Sequence, residues 1–451
     1  MTTESNKIIN SEEDDYYYTY YDKDFILYEP TQYANDVFSV SFNFWFSKED
    51  KIYPYFYFKK DNIVYQTELT TYNTEINGYI NITFGPFQEM IQENRPQEVY
   101  IYIKTNEKVI FYKHHKIYNF NDYSYQIDNL KNPINLSMML VSCWALPGYR
   151  SPAPLQPELY NKLTEIAREK NADIILSTGD LVYLEPLNIT SKTANQASYT
   201  QLRQYSRLEG TYSNHTWIIC NDDHEFSYND GNKNAPVIDI LKDTFSGNFP
   251  ILSQVSTDYR SDIRTIKNIT LITLDSVSCR TINPNPVGYN KFLTILGPSQ
   301  LNFLLNALSN VFSSFGVNAL CFILVGKSMF GEQGESTFLF CPQEREQIFN
   351  YIKSIGLRNV CFLCGDSHFS DVSEYKLNIA NNQILREIRC SAIGSRPRPG
   401  DININRVEGS LVNTNNFGNI NINGTYRDYT ILYSDYTIDG IAYSYGWNIN
   451  Y

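Results

Sequence analysis

Along the first third of the chain, hydrophobic and polar residues alternate with the period of two that is typical of half-buried strands. In the segment "VFSVSFNFWF", Val40, Phe42 and Phe44 alternate with small polar residues. Similar segments follow, separated by Asn, Gly or charged residues: "YPYFYFKK", "YINITF", "VYIYIKT" and "VIFYKHHKIY". This succession predicts an all-β, immunoglobulin-like sandwich over residues 15–130. A polar, acidic segment over residues 1–14 precedes it and is predicted to be disordered.

The pattern changes after "LKNPINL", which is predicted to be a linker over residues 130–136. Continuous apolar runs then predict buried strands at residues 138–142, 173–177, 216–220, 269–275, 319–325 and 359–364. Helical stripes lie between several of them, in "PELYNKLTEIAREK", "GPSQLNFLLNALSN" and "QEREQIFNYIKSIG". After about residue 371 alternating patterns return, and we expect them to complete a second sheet. The fold class predicted for residues 136–451 is therefore a layered α/β structure, a β-sandwich flanked by helices.

Composition and charge exclude several classes of protein. A hydrophobic fraction of 42% and a charged fraction of 19% over 451 residues are typical of a soluble globular protein. The net charge is −12 and no stripe of Lys or Arg is present, so a nucleic-acid-binding surface is not expected. The N-terminus lacks the features of a signal peptide, and no apolar run reaches the roughly 18 residues of a transmembrane segment. We therefore expect a cytoplasmic, intracellular location by default.

The eight cysteines favour buried free thiols rather than disulfides, because most of them lie in or beside apolar strand-like runs. Cys361 and Cys364 form a CxxC pair, the spacing of many zinc and redox sites. On a strand, however, two residues three positions apart point to opposite faces, and a second pair is missing. This spacing therefore does not predict a zinc or redox site.

Polar side chains recur at the C-terminal ends of the predicted strands, which is the edge where open α/β sheets bind ligands. Four strands end in such segments: Ser142–Trp144, Gly179–Tyr183, Asn221–Glu225 and Gly365–His368. Several carboxylates at one edge need a cation to offset their mutual repulsion. Carboxylate, phenol and thiol donors with few imidazoles favour a hard or ferric ion over an all-nitrogen zinc site.

The segments "GDLVY", "NDDHE" and "GDSH", in this order, resemble the motifs of the metallophosphoesterase (calcineurin-like) superfamily, and of its PhoD-like alkaline phosphatase branch in particular. That branch has Ser-Cys at the end of the first strand, as this chain has. "RQYSR", "LDSVSCR" and "LGPSQLNFLLNAL" resemble further family segments, and the family also has an N-terminal β-sandwich domain. The resemblance covers most of the chain.

The resemblance implies a role for each candidate site residue. The implied ligands of a ferric iron (Fe3+) are Cys143, Asp180, Tyr183 and His368. Asp180 would bridge to a second ion, calcium (Ca2+), with Asp223 and Asp366 as its further ligands; other divalent metals are also compatible. His224 and Arg203 would be catalytic and bind the substrate phosphate. Glu225 would either orient His224 or cap the next turn, and the motifs give Asp222 no role.

Taken singly, each of these residues also has a structural interpretation. Asp180 and Asp366 could cap turns, Cys143 could be another buried thiol, and Tyr183 could simply pack. Arg203 could be a solvated helix residue.

The implied function is metal-dependent hydrolysis of phosphomonoesters or phosphodiesters, either small molecules or lipids, by attack of a metal-bridging hydroxide on phosphorus. The alternative is a metal-binding pseudoenzyme that acts as a structural or interaction protein. Two departures from the family pattern concern the substrate pocket: Asn221 replaces a large aromatic residue, and "WALPGYRSP" follows Cys143. Because no signal peptide is recognised, we do not expect the extracellular phosphate scavenging for which the family is known.

Overall fold

The computed structural model describes residues 19–28, 30–33, 40–60, 63–84, 97–117, 134–144, 157–172, 174–183, 199, 214–226, 229–235, 238–249, 256, 258–266, 269–281, 293–331, 337–425 and 428–450. The predicted acidic segment over residues 1–14 lies outside these ranges. The chain divides into two compact units. The N-terminal unit consists of Met1–Pro30 and Asn35–Phe120, and the C-terminal unit of Thr31–Ala34 and Asn121–Tyr451.

The N-terminal unit is all-β in its described residues. The strands before residue 120 are β1 (Thr19–Tyr21), β2 (Thr31–Tyr33), β3 (Val40–Trp45), β4 (Lys51–Lys60), β5 (Ile63–Glu68), β6 (Tyr72–Asn73), β7 (Tyr79–Phe84), β8 (Gln97–Lys104) and β9 (Val109–Ile117). An antiparallel sheet has the order β1-β9-β8-β4-β5, with β6 paired to β4. Strands β3 and β7 form an antiparallel pair. The predicted all-β N-terminal region is confirmed.

Aromatic side chains fill the core of this unit. The rings of Phe42 and Phe44 on β3 lie 5.5 and 4.9 Å from the ring of Phe111 on β9, measured between centroids. Every residue of β3 is buried, although its alternating pattern predicts burial on one face only. The polar positions are accommodated by pairing: the Ser41 hydroxyl lies 2.6 Å from that of Thr83 on β7.

The C-terminal unit alternates strands and helices as predicted. Its remaining strands are β10 (Ile134–Val141), β11 (Ile174–Ser177), β12 (Thr216–Ile219), β13 (Asp262–Ile266), β14 (Ile269–Thr273), β15 (Leu320–Leu324), β16 (Asn359–Cys364), β17 (Asp371–Asn378), β18 (Gln383–Arg389), β19 (Phe417–Thr425), β20 (Asp428–Thr437) and β21 (Gly440–Asn450). The helices are α1 (Pro157–Glu169), α2 (Asp223–Phe226), α3 (Ile238–Asn248), α4 (Gly297–Phe315) and α5 (Pro342–Ile355), with a 3-10 turn at Phe338–Phe340.

Two mixed sheets form the centre of this unit. In the first, β2, β12, β11 and β10 are parallel, and β19, β20 and β21 continue the sheet antiparallel beyond β10. In the second, β14, β15, β16 and β18 are parallel, with β13 and β17 as antiparallel edge strands. Because the crossovers between parallel strands are long, helices cover the outer faces of the sheets.

The packing has four layers. Leu140 and Leu176 of the first sheet share one apolar core with Leu324 and Leu363 of the second. On the outer faces, Leu163 of α1 belongs to a cluster with Ile175 and Trp217, and Leu304 of α4 and Ile348 of α5 belong to one with Phe362. Each such fully buried side chain contributes roughly 1.5–3 kcal/mol by leaving water. The predicted β-sandwich flanked by helices is confirmed.

Some boundaries differ from the prediction. Strand β10 begins at Ile134, inside the predicted linker, because it pairs with β19 from Ile134 onward. The C-terminal strands are divided between both sheets: β17 and β18 complete the second, while β19 to β21 extend the first. Strand β2 lies in the predicted N-terminal domain, yet Tyr33 pairs with Trp217 of β12 in the C-terminal unit.

The cysteines form no disulfides, as their positions in and beside apolar strands predict. All eight are free thiols. Cys361 lies in the core between the sheets, whereas Cys364 lies in the core beneath the helices, so the two sulfurs point to opposite faces of β16. Among the described residues, none of the helices combines the length and the apolar character needed to span a bilayer.

Candidate active site

The described candidate site residues lie in the loops that follow the C-terminal ends of β10, β11, β15 and β16, and on helix α2, which follows β12. Four of them, Cys143, Asp180, Asp366 and His368, have left-handed backbone conformations, with φ angles of 54°, 57°, 60° and 59°. Such angles are uncommon for residues other than glycine, and strained backbone clusters at functional sites. The structure brings these residues of three different strand ends to one edge of the sandwich.

The first group of donor atoms belongs to Cys143, Asp180 and His368, which lie within 4.8 Å of one another, one atom from each residue. The Cys143 thiol donates to Asp180 Oδ2 at 3.4 Å. The sulfur also accepts hydrogen bonds of 3.0 Å from the hydroxyls of Ser142 and Ser391. Two hydroxyl donors aimed at one sulfur are an arrangement that stabilises a thiolate.

Tyr183 lies beside this group and contacts His368. The Tyr183 hydroxyl is 3.3 Å from His368 Nε2 and 2.6 Å from Ser395 Oγ. His368 Nδ1 is 3.0 Å from the carbonyl of Arg396, so Nδ1 carries the proton and Nε2 keeps its lone pair. Burial lowers the pKa of His368 to about 4, which keeps the imidazole neutral, as a metal ligand must be.

The second group consists of four carboxylates, those of Asp180, Asp222, Asp223 and Asp366, again within 4.8 Å of one another. The fully buried Lys327 ammonium lies in contact with three of them. Its Nζ is 3.1 Å from Asp222 Oδ1, 2.7 Å from Asp223 Oδ1 and 3.2 Å from Asp366 Oδ1. The sequence motifs assign no role to Asp222 or Lys327. Lys327 nevertheless follows the C-terminal end of β15. A search for polar residues at the end of every predicted strand would therefore have found it.

Several buried polar atoms of the site have no hydrogen-bond partner among the described residues, including Asp180 Oδ1, Asp222 Oδ2 and His224 Nδ1. Burial, together with the carboxylates of Asp222 and Asp223, raises the pKa of Asp180 well above its usual range. Burial and the Asp180 carboxylate likewise raise the pKa of Cys143. A bound cation would pair the orphaned oxygen and reverse both shifts, so the residues present fit a metal ion.

Lys327 neutralises only part of the acidic group. Burial by itself lowers the pKa of Lys327. The three neighbouring carboxylates raise it by more, so the pKa lies well above its ordinary value. The pKa of Asp223 moves the other way: burial raises it, but the charge and hydrogen bond of Lys327, together with the charges of His224 and Arg280, outweigh burial and hold it below its usual range. For Asp222, burial prevails over Lys327 and the pKa rises. Asp223 therefore stays ionised, whereas Asp180 and Asp222 remain short of positive charge.

Glu225 holds the loop that carries Asp180. Its carboxylate accepts hydrogen bonds from the backbone N–H groups of Asp180 (2.9 Å), Asp222 (2.8 Å), Val182 (3.4 Å) and Leu181. Burial raises the pKa of Glu225 to about 7, against the lowering effect of these donors. Of the two predicted roles, these contacts match a backbone cap, because they join the loop after β11 to the start of α2.

Gly179 allows the same two segments to approach closely. Its φ is +96°, and a Cβ atom there would lie 2.6 Å from Cβ of Asp222. Only glycine accommodates both this backbone angle and this contact.

His224 lies on α2 and is buried, with only 6% of the residue exposed. Its ring packs on that of Tyr183, with a centroid distance of 4.1 Å and an angle of 33° between the planes. The imidazole is therefore adjacent to the first donor group. Arg203, the predicted phosphate clamp, lies outside the described residues.

Asn221, which we expected to alter the substrate pocket, is fully buried. Its side-chain amide donates to Asp275 Oδ1 at 2.9 Å, and Ser276 Oγ donates to its backbone carbonyl at 3.3 Å. These contacts place Asn221 in the support of the loop after β12. Residues 145–152, the rest of "WALPGYRSP" after Trp144, lie outside the described residues.

Comparisons with known proteins found similar sequences and similar folds. No family model matches the chain. Alkaline phosphatase D of Bacillus subtilis (strain 168) is 23% identical over 267 residues, a match that covers 47% of this chain and 43% of that protein. The match thus spans less than half the length of this curated relative.

Among solved structures, the structure of PhoD has a TM-score of 0.70 at 14% identity and covers 93% of this chain and 90% of its own. A dimetal phosphatase from Danio rerio has a TM-score of 0.44 at 12% identity, with 71% of this chain and 100% of its own covered. The likeness to PhoD, at this identity, shows a common fold over nearly the whole chain. This chain therefore has the fold of PhoD, the fold that the resemblance of its motifs implied.

Proposed function

We propose that this chain is a phosphoric ester hydrolase that uses a metal ion held by Cys143, Asp180, Tyr183 and His368. The observation that supports this most directly is the buried Asp180 Oδ1, which has no hydrogen-bond partner among the described residues. It belongs to a carboxylate that lies beside the Cys143 thiol and the His368 imidazole. A carboxylate in that position is costly without a cation. The substrates proposed are phosphomonoesters or phosphodiesters, of small molecules or of lipids.

The bound metal would polarise the phosphoryl oxygens and lower the pKa of a water molecule, so that attack on phosphorus occurs near neutral pH. His224 would donate a hydrogen bond to the phosphoryl group or a proton to the leaving oxygen, because its Nδ1 has no partner among the described residues. Packing on Tyr183 fixes the ring beside the metal ligands. Arg203 is proposed as a phosphate clamp, since a guanidinium can bind two phosphate oxygens at once.

Hydrolysis of p-nitrophenyl phosphate and bis-p-nitrophenyl phosphate by the metal-loaded protein tests this proposal. Asp180→Asn should abolish turnover, and His224→Ala should lower kcat by roughly 10²–10⁴-fold. Asp262→Asn is a matched control, because Asp262 is another buried aspartate of this unit, paired with Arg264 at 2.7 Å on the edge strand β13. It should leave kcat/KM unchanged. Metal-loaded protein that is inert on both substrates would refute the proposal.

The alternative proposal, a metal-binding pseudoenzyme, predicts that result: full metal content and no turnover. No ligand position of the first donor group has been replaced by an inert residue, which argues for the enzyme.

We propose ferric iron as the ion, because thiol and phenol donors with a single imidazole suit it. Tyrosine bound to ferric iron absorbs visible light, so the loaded protein should be coloured and Tyr183→Phe should remove the band. Tyr199→Phe, a change at another buried tyrosine of the same unit, should keep it. Colourless active protein that contains only zinc or manganese would exclude iron and leave the hydrolase proposal intact.

A further inference from the structure

Lys327 is a buried cation at the centre of the acidic group. It follows β15 directly after Val325 and Gly326, and its side chain is fully buried. Lysine is almost never fully buried unless it is paired, and here three aspartates pair with one ammonium at 2.7–3.2 Å. The position is thus built for a single positive charge surrounded by carboxylate oxygens.

The hydrogen bonds of the acidic group leave few oxygens for another cation. Asp223 Oδ1 accepts from Lys327, and Asp223 Oδ2 accepts from the backbone N–H of Asp230 at 2.5 Å. Asp222 Oδ1 accepts from Ser276 Oγ at 2.8 Å and from Lys327. Among the buried oxygens of this group that the structure describes, those without a hydrogen bond are Asp180 Oδ1 and Asp222 Oδ2.

A second ion such as calcium would need these same oxygens. Calcium takes six to eight oxygen ligands at about 2.3–2.6 Å, so two free carboxylate oxygens are a poor site for it. Ligation by Asp223 and Asp366 would also require the Lys327 ammonium to withdraw, which would leave a buried lysine without its partners.

We propose that the Lys327 ammonium takes the place of the second cation, so that this centre binds one metal ion. Asp223 and Asp366 then hold Lys327 and are not metal ligands. This inference rests on the proposed function, because it assumes the metal ion at Cys143, Asp180, Tyr183 and His368. Unlike an ion, the ammonium is a covalent part of the chain and cannot be removed by a chelator.

Metal stoichiometry tests the inference without measuring activity. Separate samples of the full-length chain are loaded with iron or with manganese and then dialysed. Their metal content is measured by inductively coupled plasma mass spectrometry. We expect about one metal ion per chain for the wild type and about two for Lys327→Gln, in which the carboxylates regain their lone pairs. Lys242→Gln is the control, because its ammonium bonds the carbonyl of Asp258 outside the acidic group, and it should stay at one.

The possible results separate the two proposals. Two ions in the wild type, or one in a folded Lys327→Gln variant, would overturn the role of Lys327 while leaving the hydrolase proposal intact. A wild type that retains no metal would overturn both.

If Lys327→Gln does not fold, electron paramagnetic resonance of the manganese-loaded wild type decides the question. An isolated ion gives the six-line spectrum of mononuclear Mn2+, which is expected here. Two ions about 3.5–4 Å apart, the spacing of two-metal sites, would couple their spins and contradict the inference.

Discussion

Replacing Glu225 by glutamine should weaken both the stability of the C-terminal unit and its hold on metal. The Glu225 carboxylate accepts four backbone hydrogen bonds, two on each oxygen. Glutamine replaces one acceptor oxygen by an amide group that only donates, so two buried N–H groups lose their acceptor. Each buried N–H group without an acceptor costs about 1–3 kcal/mol, or about 2–6 kcal/mol for two.

The lower half of that range is expected for Glu225→Gln. Burial raises the pKa of Glu225 to about 7, so the charged carboxylate is itself costly in this position, and the neutral amide avoids that cost. We therefore expect the free energy of unfolding to fall by about 2–4 kcal/mol. Asp180 donates one of the affected hydrogen bonds, so its loop should loosen and metal affinity should fall as well.

Urea unfolding of the metal-free proteins, followed by tryptophan fluorescence, measures the stability change, because three of the four tryptophans lie in the C-terminal unit. Metal content after dialysis measures the second effect. Glu344→Gln is the matched control. Glu344 is also a buried carboxylate that accepts backbone hydrogen bonds, from Ile295 at 2.8 Å and Leu296 at 3.2 Å, and it belongs to neither donor group.

The control variant should lose stability to a similar extent and keep its metal. The reasoning is refuted if Glu225→Gln unfolds at the wild-type urea concentration with full metal content. It is also refuted if Glu344→Gln loses as much metal as Glu225→Gln.

Three further predictions concern stability. Arg389→Met should lower the free energy of unfolding by about 3 kcal/mol, because Asp371 and Asp401 would lose the buried guanidinium and keep Arg406, which lies 2.7 Å from each carboxylate; a loss below about 1 kcal/mol in urea unfolding would contradict this. Gly326→Ala should lower the free energy of unfolding by about 1–3 kcal/mol, because the new Cβ would lie 2.3 Å from Cγ of Asp222. An unchanged thermal midpoint would contradict this and show that the Asp222 side chain can move away. Removing metal with a chelator should lower Tm, and restoring the ion at 1,000 times its Kd should return about 4 kcal/mol; equal midpoints with and without metal would mean that the folded state does not bind it.

The helices and strands that could be predicted from the sequence are those whose apolar residues repeat with a regular period or form a continuous run. Helix α1 was found from a stripe of apolar residues, and strands β15 and β16 from continuous apolar runs, because burial imposes those periods on the chain. Strand β2 was missed, since three residues carry no period and its partner β12 lies 184 residues further along, as the contact between Gln32 and Thr216 shows. Local pattern cannot report such a pairing.

The same distinction applies to the site. Cys143, Asp180 and His368 could be predicted because the family resemblance names them and each follows a strand end. Asp222 and Asp223 are adjacent carboxylates, and the sequence gives no measure of which oxygens the backbone and Lys327 already occupy. Lys327 was missed because its partner Asp223 is 104 residues away, and a lysine in a loop usually lies in solvent.

The pairing of Tyr33 with Trp217 has a consequence for dissecting this protein. Strand β2 covers one side of β12, although it precedes most of the N-terminal unit in the chain. A shortened chain that starts at the predicted linker would lack β2 and leave the backbone N–H and C=O groups of β12 without that neighbour. Exposed sheet edges of this kind pair with other molecules and cause aggregation. If such a fragment is insoluble, the loss of strand β2 would therefore explain it. A fragment designed to fold as the C-terminal unit alone should include residues 31–33.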